Sequence, residues 1–347
     1  MILDYLKKRL DQVRTRDQIY QSETLEKTIV SQVHQLIKSA GFEADTAKPS
    51  QNYGIPNSYH RNNQQLAYRF VDSLFFGNPE VWQWNSNDII LTDNVSLTSV
   101  TCQQISVVPE FWHIFYNTPK YINSAPTSGY NCFMNRISGD RSQIFYELIR
   151  RKILTSGLVS FNCWRPGDGR YDTTHNYTQD NYNWQYEQAE MFDYATEHHV
   201  GQSLIPYCSI NEDQGLVQCI IDSNISLISE TYISDSHIVF SEKIFRALQL
   251  PRPWLLYCSP GSVALLKSHG FDVLDDIVNI AYDEIAEHQQ RLLSIMDQLE
   301  TFVNRHYTAE EYKRFDRAAV HNQQLLLKFK AQWPARLNNV LETIKKL

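Results

Sequence analysis

The sequence contains little glycine, and it lacks the glycine motifs of two common nucleotide-binding sites. Only 12 of the 347 residues are Gly, and neither Gly-x-Gly-x-x-Gly nor Gly-x-x-x-x-Gly-Lys-Ser/Thr occurs. Both motifs use glycine to bring backbone amides close to phosphate. The chain therefore lacks the fingerprints of a dinucleotide-binding fold and of a P-loop.

The sequence also lacks long apolar runs and paired cysteines. No apolar run approaches the ~18 residues of a membrane span, and the first residues, MILDYLKKRL, are charged from position 4, unlike a signal peptide. The six cysteines are dispersed without a Cys-x-x-Cys pair, which favours reduced thiols. We expect a soluble, cytoplasmic protein (in the host cytoplasm if it is viral), without a membrane span. Its oligomeric state is open.

The composition is that of a globular protein. Hydrophobic residues make up 42% of the chain and charged residues 20%, and a length of 347 residues favours two domains. The net charge of −7 is unevenly spread, because residues 308–347 hold eight Lys or Arg against four Asp or Glu. Such a basic stretch is usually a solvated helix face, and the alternative is an anion-binding surface.

Strands are predicted to alternate with helices, which favours a parallel sheet with crossover helices. A helix is predicted at 138–154, the chain from Asp275 onward reads as helical, and a final helix from Thr308 is expected to break near Trp333-Pro334. A boundary is predicted at 118–130, and the aromatic, aperiodic stretch 163–195 is predicted to be a long loop. Strands are predicted at DIILTD (88–93), QQISVV (103–108), NCFMNR (131–136), GLVSFN (157–162), GLVQCIID (215–222) and ISLISETYI (225–233).

The most informative stretch is SEKIFRAL followed by PRPWLLYCSPGS. Ser241 is predicted to cap a helix that has Glu242 and Lys243 in its first turn. Lys is disfavoured at the positive end of a helix dipole, so its presence suggests that an anion binds there. A second helix start at Gly261 could offer amides to the same ligand. The alternative is that both features are only structural.

The segment ISETYISDSHIVFSEKIFRALQLPRPWLLYCSPGSVALLKSHGF resembles the donor-binding half of fucosyltransferase-type glycosyltransferases, and phage-type relatives share a continuation similar to GFDVLDDIVNIAYDEI. CFMNRISGDRSQIFYELI resembles the segment that opens the donor domain. The resemblance covers about residues 131–290. It implies an α/β fold of the GT-B type, in which two Rossmann-like domains face each other across a cleft. The implied parts are an acceptor-side domain (1–128), a nucleotide-sugar donor domain (129–270) and a C-terminal helical extension (271–347).

The resemblance also implies roles for residues of the donor site. Glu242 would contact the nucleotide ribose and Lys243 the diphosphate, with Ser241 and Gly261 at the two helix starts. Glu230 would lie nearby. The other phosphate oxygens would be held by Arg136 or Arg141.

Transfer of the sugar places charge on the leaving diphosphate, which fixed cations can stabilise without a metal or cofactor. An inverting enzyme also needs a carboxylate base on the acceptor side, and Asp93 and Glu110 are the candidates. The expected partners are a nucleotide sugar and an acceptor, which is a glycan or a modified base in phage DNA. The acceptor could stack on Tyr177, Trp184 and Tyr186. The alternative function is non-catalytic binding of glycan or nucleic acid.

Overall fold

The computed structural model describes residues 119, 121–134, 139–161, 214–230, 233, 238 and 240–346. It also describes a few residues between 35 and 44 and the strands at 58–61, 64–69, 89–92 and 103–106. Asp93, Glu110, Arg136, Tyr177, Trp184 and Tyr186 lie outside the described residues, as does the predicted loop at 163–195.

The first sheet is mixed. Its strands β1 to β5 follow chain order, with β1–β2–β3 antiparallel and β3–β4–β5 parallel. Only two residues separate β2 from β3, which is too short for a parallel crossover, so these strands form a hairpin. The predictions at 88–93 and 103–108 are confirmed by β4 and β5. The bounds are β1 Glu43–Ala44, β2 Ser58–Arg61, β3 Gln64–Arg69, β4 Ile89–Thr92 and β5 Gln103–Ser106.

The second sheet has four strands, which are all parallel and lie in the order β7-β6-β8-β9. The strands β8 and β9 are buried almost along their whole length, as is typical of a parallel sheet covered by helices on both faces. This part of the chain is therefore α/β, as predicted. The bounds are β6 Ser128–Met134, β7 Gly157–Phe161, β8 Ser223–Ser229 and β9 Trp254–Tyr257.

Within the described residues, six α-helices accompany this sheet. Those predicted at 138–154, after Ser241 and near Val263 are confirmed by α1, α3 and α4. Short 3-10 helices occupy Leu154–Ser156 and Ile280–Glu284. The α-helices are α1 Gly139–Arg150, α2 Gln214–Ile221, α3 Glu242–Leu248, α4 Ser262–Ser268, α5 His288–Val303 and α6 Ala309–Lys346.

The strand predicted at GLVQCIID (215–222) is wrong, because these residues form α2. Val217, Ile220 and Ile221 fall on one helical face and pack with Leu250. A short apolar run does not distinguish a buried strand from a buried helix. The sheet topology distinguishes the two, since β7 and β8 are parallel and parallel strands need a crossover connection, which is usually a helix.

Two helix bounds near the C-terminus also differ from the prediction. The chain after Asp275 is not an α-helix until α5, which begins after Glu287; the Glu287 carboxylate accepts hydrogen bonds from the amides of Gln289 and Gln290 at 2.9 and 2.6 Å. The helix α6 does not break at Pro334; it is 38 residues long and extends from Ala309 to Lys346. An internal proline costs about 3 kcal/mol, which a long helix with continuous apolar periodicity can absorb.

The helix α5 runs antiparallel to the strands, with its C-terminus at their amino ends. The Asn224 side chain, near the start of β8, donates to the carbonyls of Phe302, Val303 and Arg305 at 3.2, 3.2 and 3.0 Å. A Cβ on Gly129, at the start of β6, would lie 2.7 Å from the carbonyl oxygen of Val303, so only glycine allows this close approach. The first turn of α5 therefore lies at the carboxyl ends of the strands.

Candidate functional site at the carboxyl edge of the parallel sheet

The topology marks one position on this edge as a crevice. The chain leaves β6 toward β7 on one side and later enters β8 on the other side, so the connections diverge between β6 and β8. Ligands of open α/β sheets bind at such a switch point, outside the carboxyl ends of the strands.

Glu230 follows β8 directly and ties this strand to the start of α3. Its backbone amide donates to the carbonyl of Tyr257 at 3.1 Å, and its Oε1 accepts from the backbone amide of Ser241 at 3.1 Å. Glu230 is only 2% exposed, and its Oε2 has no hydrogen-bond partner among the described residues. The carboxylate is thus fixed at the crevice by one of its two oxygens.

Ser241 caps α3 as predicted and also holds the neighbouring lysine. Its hydroxyl oxygen accepts from the backbone amide of Lys243 at 3.3 Å and from the ammonium group of Lys243 at 2.9 Å. The Lys243 side chain is half-buried at the first turn of α3. Glu230, Ser241 and Lys243 therefore form one connected group at the carboxyl end of β8. Glu242 is the first residue of α3.

The amides at the second helix start have a partner within the protein. Gly261 has a φ of 79°, which favours glycine, and its amide donates to the carbonyl of Asp283 at 2.8 Å. The buried Asp283 carboxylate accepts from the amide of Ala264 at 2.9 Å, and the amides of Val263 and Ser262 also bond to it. Burial raises the pKa of Asp283 although these amides act to lower it. The first turn of α4 is thus capped by the chain's own carboxylate, and the Gly261 amide is occupied.

The continuation after α4 that resembles phage-type proteins therefore has a structural role in this chain. Besides the cap from Asp283, the hydroxyl oxygen of the buried Tyr282 accepts a hydrogen bond from the backbone amide of Leu256 at 3.1 Å. Tyr282 is thus bonded to β9 itself, and Asp283 to the start of the helix that follows it.

Arg141 lies in the first turn of α1 and is 3% exposed. Its positive charge acts to lower the pKa of Cys132 in β6 and that of Asp140 beside it, although burial raises both pKa values overall. The charge of Arg291, at the start of α5, acts on Asp140 in the same direction as Arg141. Residues from α1 and α5 thus form a second charged group, around Asp140, at this edge.

Neither His288 nor Arg291 was predicted as a site residue. Arg291 is 1% exposed, and its guanidinium donates to the carbonyls of Ile285 and Ala286 and to Nδ1 of His288 at 3.1 Å. Because a guanidinium can only donate, Nδ1 of His288 accepts and carries no proton. The guanidinium also lies 6.0 Å from the centre of the Tyr257 ring, at the end of β9.

Among the residues that the structure describes, no group of three His, Cys, Asp or Glu side chains could hold a metal ion. Within the same residues, no helix combines the length and the apolar character needed to span a bilayer.

No protein-family model, no curated protein and no solved structure matches the chain.

Proposed function

We propose that the parallel sheet is the donor domain of a metal-independent glycosyltransferase, which transfers a sugar from a nucleoside diphosphate to a hydroxyl group. The observation that carries the proposal is the pairing of Glu230 and Lys243 through Ser241, at the switch between β6 and β8. A buried carboxylate can accept from hydroxyl groups of a nucleotide, and a fixed ammonium can bind its phosphate.

The mechanism that we propose stabilises the leaving group by fixed charge. The bond between the anomeric carbon and the diphosphate breaks while negative charge builds on the diphosphate oxygens. The Lys243 ammonium is already held in place, so little reorganisation is needed when that charge develops. Following the family resemblance, Glu242 contacts the ribose. Arg141 is too deeply buried to present an exposed edge, and it contributes through its charge, whereas Arg136 is the candidate for a direct phosphate contact.

The acceptor belongs to the N-terminal part of the chain in this proposal. Asp93, which follows β4, or Glu110, which follows β5, removes the proton from the attacking hydroxyl group. The strands β4 and β5 are parallel neighbours, and parallel strands end at the same edge of a sheet, so the proposal assigns the acceptor to that edge. The proposal includes a two-domain arrangement. It also includes stacking of the acceptor, a glycan or a DNA base, on Tyr177, Trp184 and Tyr186.

The test of the donor site is calorimetry with nucleoside diphosphates and nucleotide sugars, on the wild-type chain and on Lys243→Ala. A charge-assisted hydrogen bond contributes about 1.5–3 kcal/mol, so we expect the variant to lose roughly 10- to 100-fold in affinity. The matched control is Lys313→Ala, because Lys313 is also a lysine of a helix but pairs with Glu310 on the exposed face of α6.

An equal affinity in wild type and Lys243→Ala would remove Lys243 from the site, and no binding of any nucleoside diphosphate would reject the donor domain itself. A ligand at 100 times its Kd should also stabilise the fold by ~2.7 kcal/mol in a thermal-shift assay. Release of nucleoside diphosphate in the presence of an acceptor distinguishes a transferase from a protein that only binds.

A further inference from the structure

The irregular segment that leads into the parallel sheet is attached to it by a specific set of hydrogen bonds. We call residues 121–127 the strap; it ends where β6 begins. The amide of Ile122 donates to Oε1 of Gln218 at 3.1 Å, and Nε2 of Gln218 donates back to the carbonyl of Ile122 at 3.0 Å. The amide of Thr127 donates to the carbonyl of Asp222 at 2.8 Å. Both ends of the strap are thus bonded to α2 or to the turn that follows it.

Asp222 holds the middle of the strap through one carboxylate oxygen. Its Oδ1 accepts from the hydroxyl of Ser124 at 2.6 Å and from Nε2 of Gln218 at 2.9 Å. Asp222 is 2% exposed, and its buried Oδ2 has no hydrogen-bond partner among the described residues. Only one of the two carboxylate oxygens therefore has hydrogen-bond partners among the described residues.

Arg252 closes the other side of this site. Its Nη2 donates to the carbonyl of Ser124, and its Nε donates to the carbonyl of Ile221 at 2.8 Å. Burial raises the pKa of Asp222 to about 6, while the charge of Arg252 acts to lower it. Arg252 is itself faced by three residues of the C-terminal part and by one residue of the strap, namely Tyr307, Tyr312, Asp316 and Tyr121.

We propose that the strap is a releasable clamp, whose grip on the parallel sheet is set by the protonation state of Asp222. When the carboxyl group is neutral, the strap is held at both ends and in the middle. When it is ionised, a buried charge with one unpartnered oxygen favours release of the strap, because release returns the carboxylate to water. The strap precedes the sheet directly, so its release breaks the contacts between the strap and α2. The proposal does not depend on the proposed function.

The sign of the pH dependence follows from linkage. The pKa of Asp222 in the held state, about 6, is higher than the ~3.9 of an exposed Asp, so the grip is full at low pH and weakens as pH rises through 6. For these two pKa values, the ratio of released to held strap increases roughly tenfold between pH 5 and pH 7.5.

The experiment is hydrogen exchange of the full chain at pH 5 to 7.5, with rates corrected for intrinsic exchange. We expect protection of the strap amides to fall roughly tenfold across this range, while peptides from β8 keep theirs. In Asp222→Asn the strap should lose this pH dependence. The matched control is Asp275→Asn, which removes an exposed carboxylate paired with Lys267 and should behave as wild type.

Strap protection that does not vary with pH in the wild type would overturn the proposal, and so would a pH dependence that survives in Asp222→Asn. A second variant keeps the test decisive if Asp222→Asn does not fold. Ser124→Ala removes a hydrogen bond to the charged carboxylate, so the midpoint of the pH dependence should move to higher pH. An unmoved midpoint would exclude Asp222 as the titrating group.

Discussion

Replacing Asn322 with Ala tests how α6 is attached to the parallel domain. Asn322 is 1% exposed, and its side chain makes three hydrogen bonds to the backbone. Oδ1 accepts from the amide of Asp272 at 2.8 Å, and Nδ2 donates to the carbonyls of Asp272 and Leu248 at 2.9 and 3.0 Å. Each buried group left without a partner costs about 1–3 kcal/mol. Since water entering the new space can satisfy some of them, we expect Asn322→Ala to lower the free energy of unfolding by about 3 kcal/mol.

The control variant replaces the next residue, Gln323. The Gln323 side chain donates one hydrogen bond, to the carbonyl of Gln249 at 2.7 Å, and it is half-buried, so water can replace it. Gln323→Ala should cost about 0.5–1 kcal/mol.

Hydrogen exchange of the β9 amides reports the stability of both variants, because these amides lie in the core of the domain and exchange when it unfolds. The loss of 3 kcal/mol corresponds to roughly 100-fold faster exchange. If Asn322→Ala accelerates exchange no more than Gln323→Ala does, the assigned role of Asn322 as the attachment point of α6 is refuted.

Two further predictions concern charges of the C-terminal part. Burial alone would raise the pKa of Asp272. Hydrogen bonds from Arg314 and from the amide of Leu274 outweigh burial and hold this pKa below its usual value. The stability that Asp272 contributes is therefore present above pH ~4 and is lost as pH falls through the lowered pKa. We expect Arg314→Ala to make the urea unfolding midpoint depend less on pH in the acid range. An unchanged pH dependence would contradict the pairing of Asp272 with Arg314. If the acceptor is DNA, binding of a duplex should weaken steeply with salt, and the slope of log K against log salt should be shallower after alanine replacement of Lys328, Lys330 and Arg336. The same slope in wild type and variant, or no binding at low salt, would favour a glycan acceptor.

The basic character of the C-terminal part is smaller in the structure than in the sequence. Arg314 bonds to both Asp272 and Asp276, and Lys313 pairs with Glu310. A count of charges along a chain does not show which of them are neutralised by neighbours 40 residues away. The exposed Lys328 is the better candidate for contact with a polyanion.

Features that depend on local sequence could be predicted, and the cap of α3 is the best example. A Ser before a helical pattern predicts a side-chain cap, and the Ser241 hydroxyl accepts from the Lys243 amide. The strands β4, β6, β7 and β8 were also predictable, because each contains several apolar residues within a short run, whereas β5 was predicted only from the wider run QQISVV. The error at α2 arose since an apolar run of eight residues fits either a strand or a helix, and only the pairing of its neighbours decides.

Features that depend on contacts between distant segments could not be predicted. Arg291 and Asp140 are 151 positions apart, and no local pattern links them; the antiparallel course of α5 brings them to the same edge. The occupancy of the α4 amides by Asp283 has the same origin. Its partner amides lie about 20 residues earlier, across a loop and a 3-10 helix.

The Asp283 cap has a consequence for how a ligand could approach the sheet. A carboxylate that already occupies the first turn of α4 repels a second anion and leaves it few free amides, so the β9 side of the carboxyl edge is closed to phosphate. The β8 side, where the Lys243 ammonium lies, remains the side to which an anion is attracted. The edge is therefore asymmetric, and a long anionic ligand has one favoured direction, with its phosphate beside β8 and the rest of the molecule extending away from β9. In the proposed donor site, Asp283 would therefore orient an anionic ligand by repulsion, without contacting it.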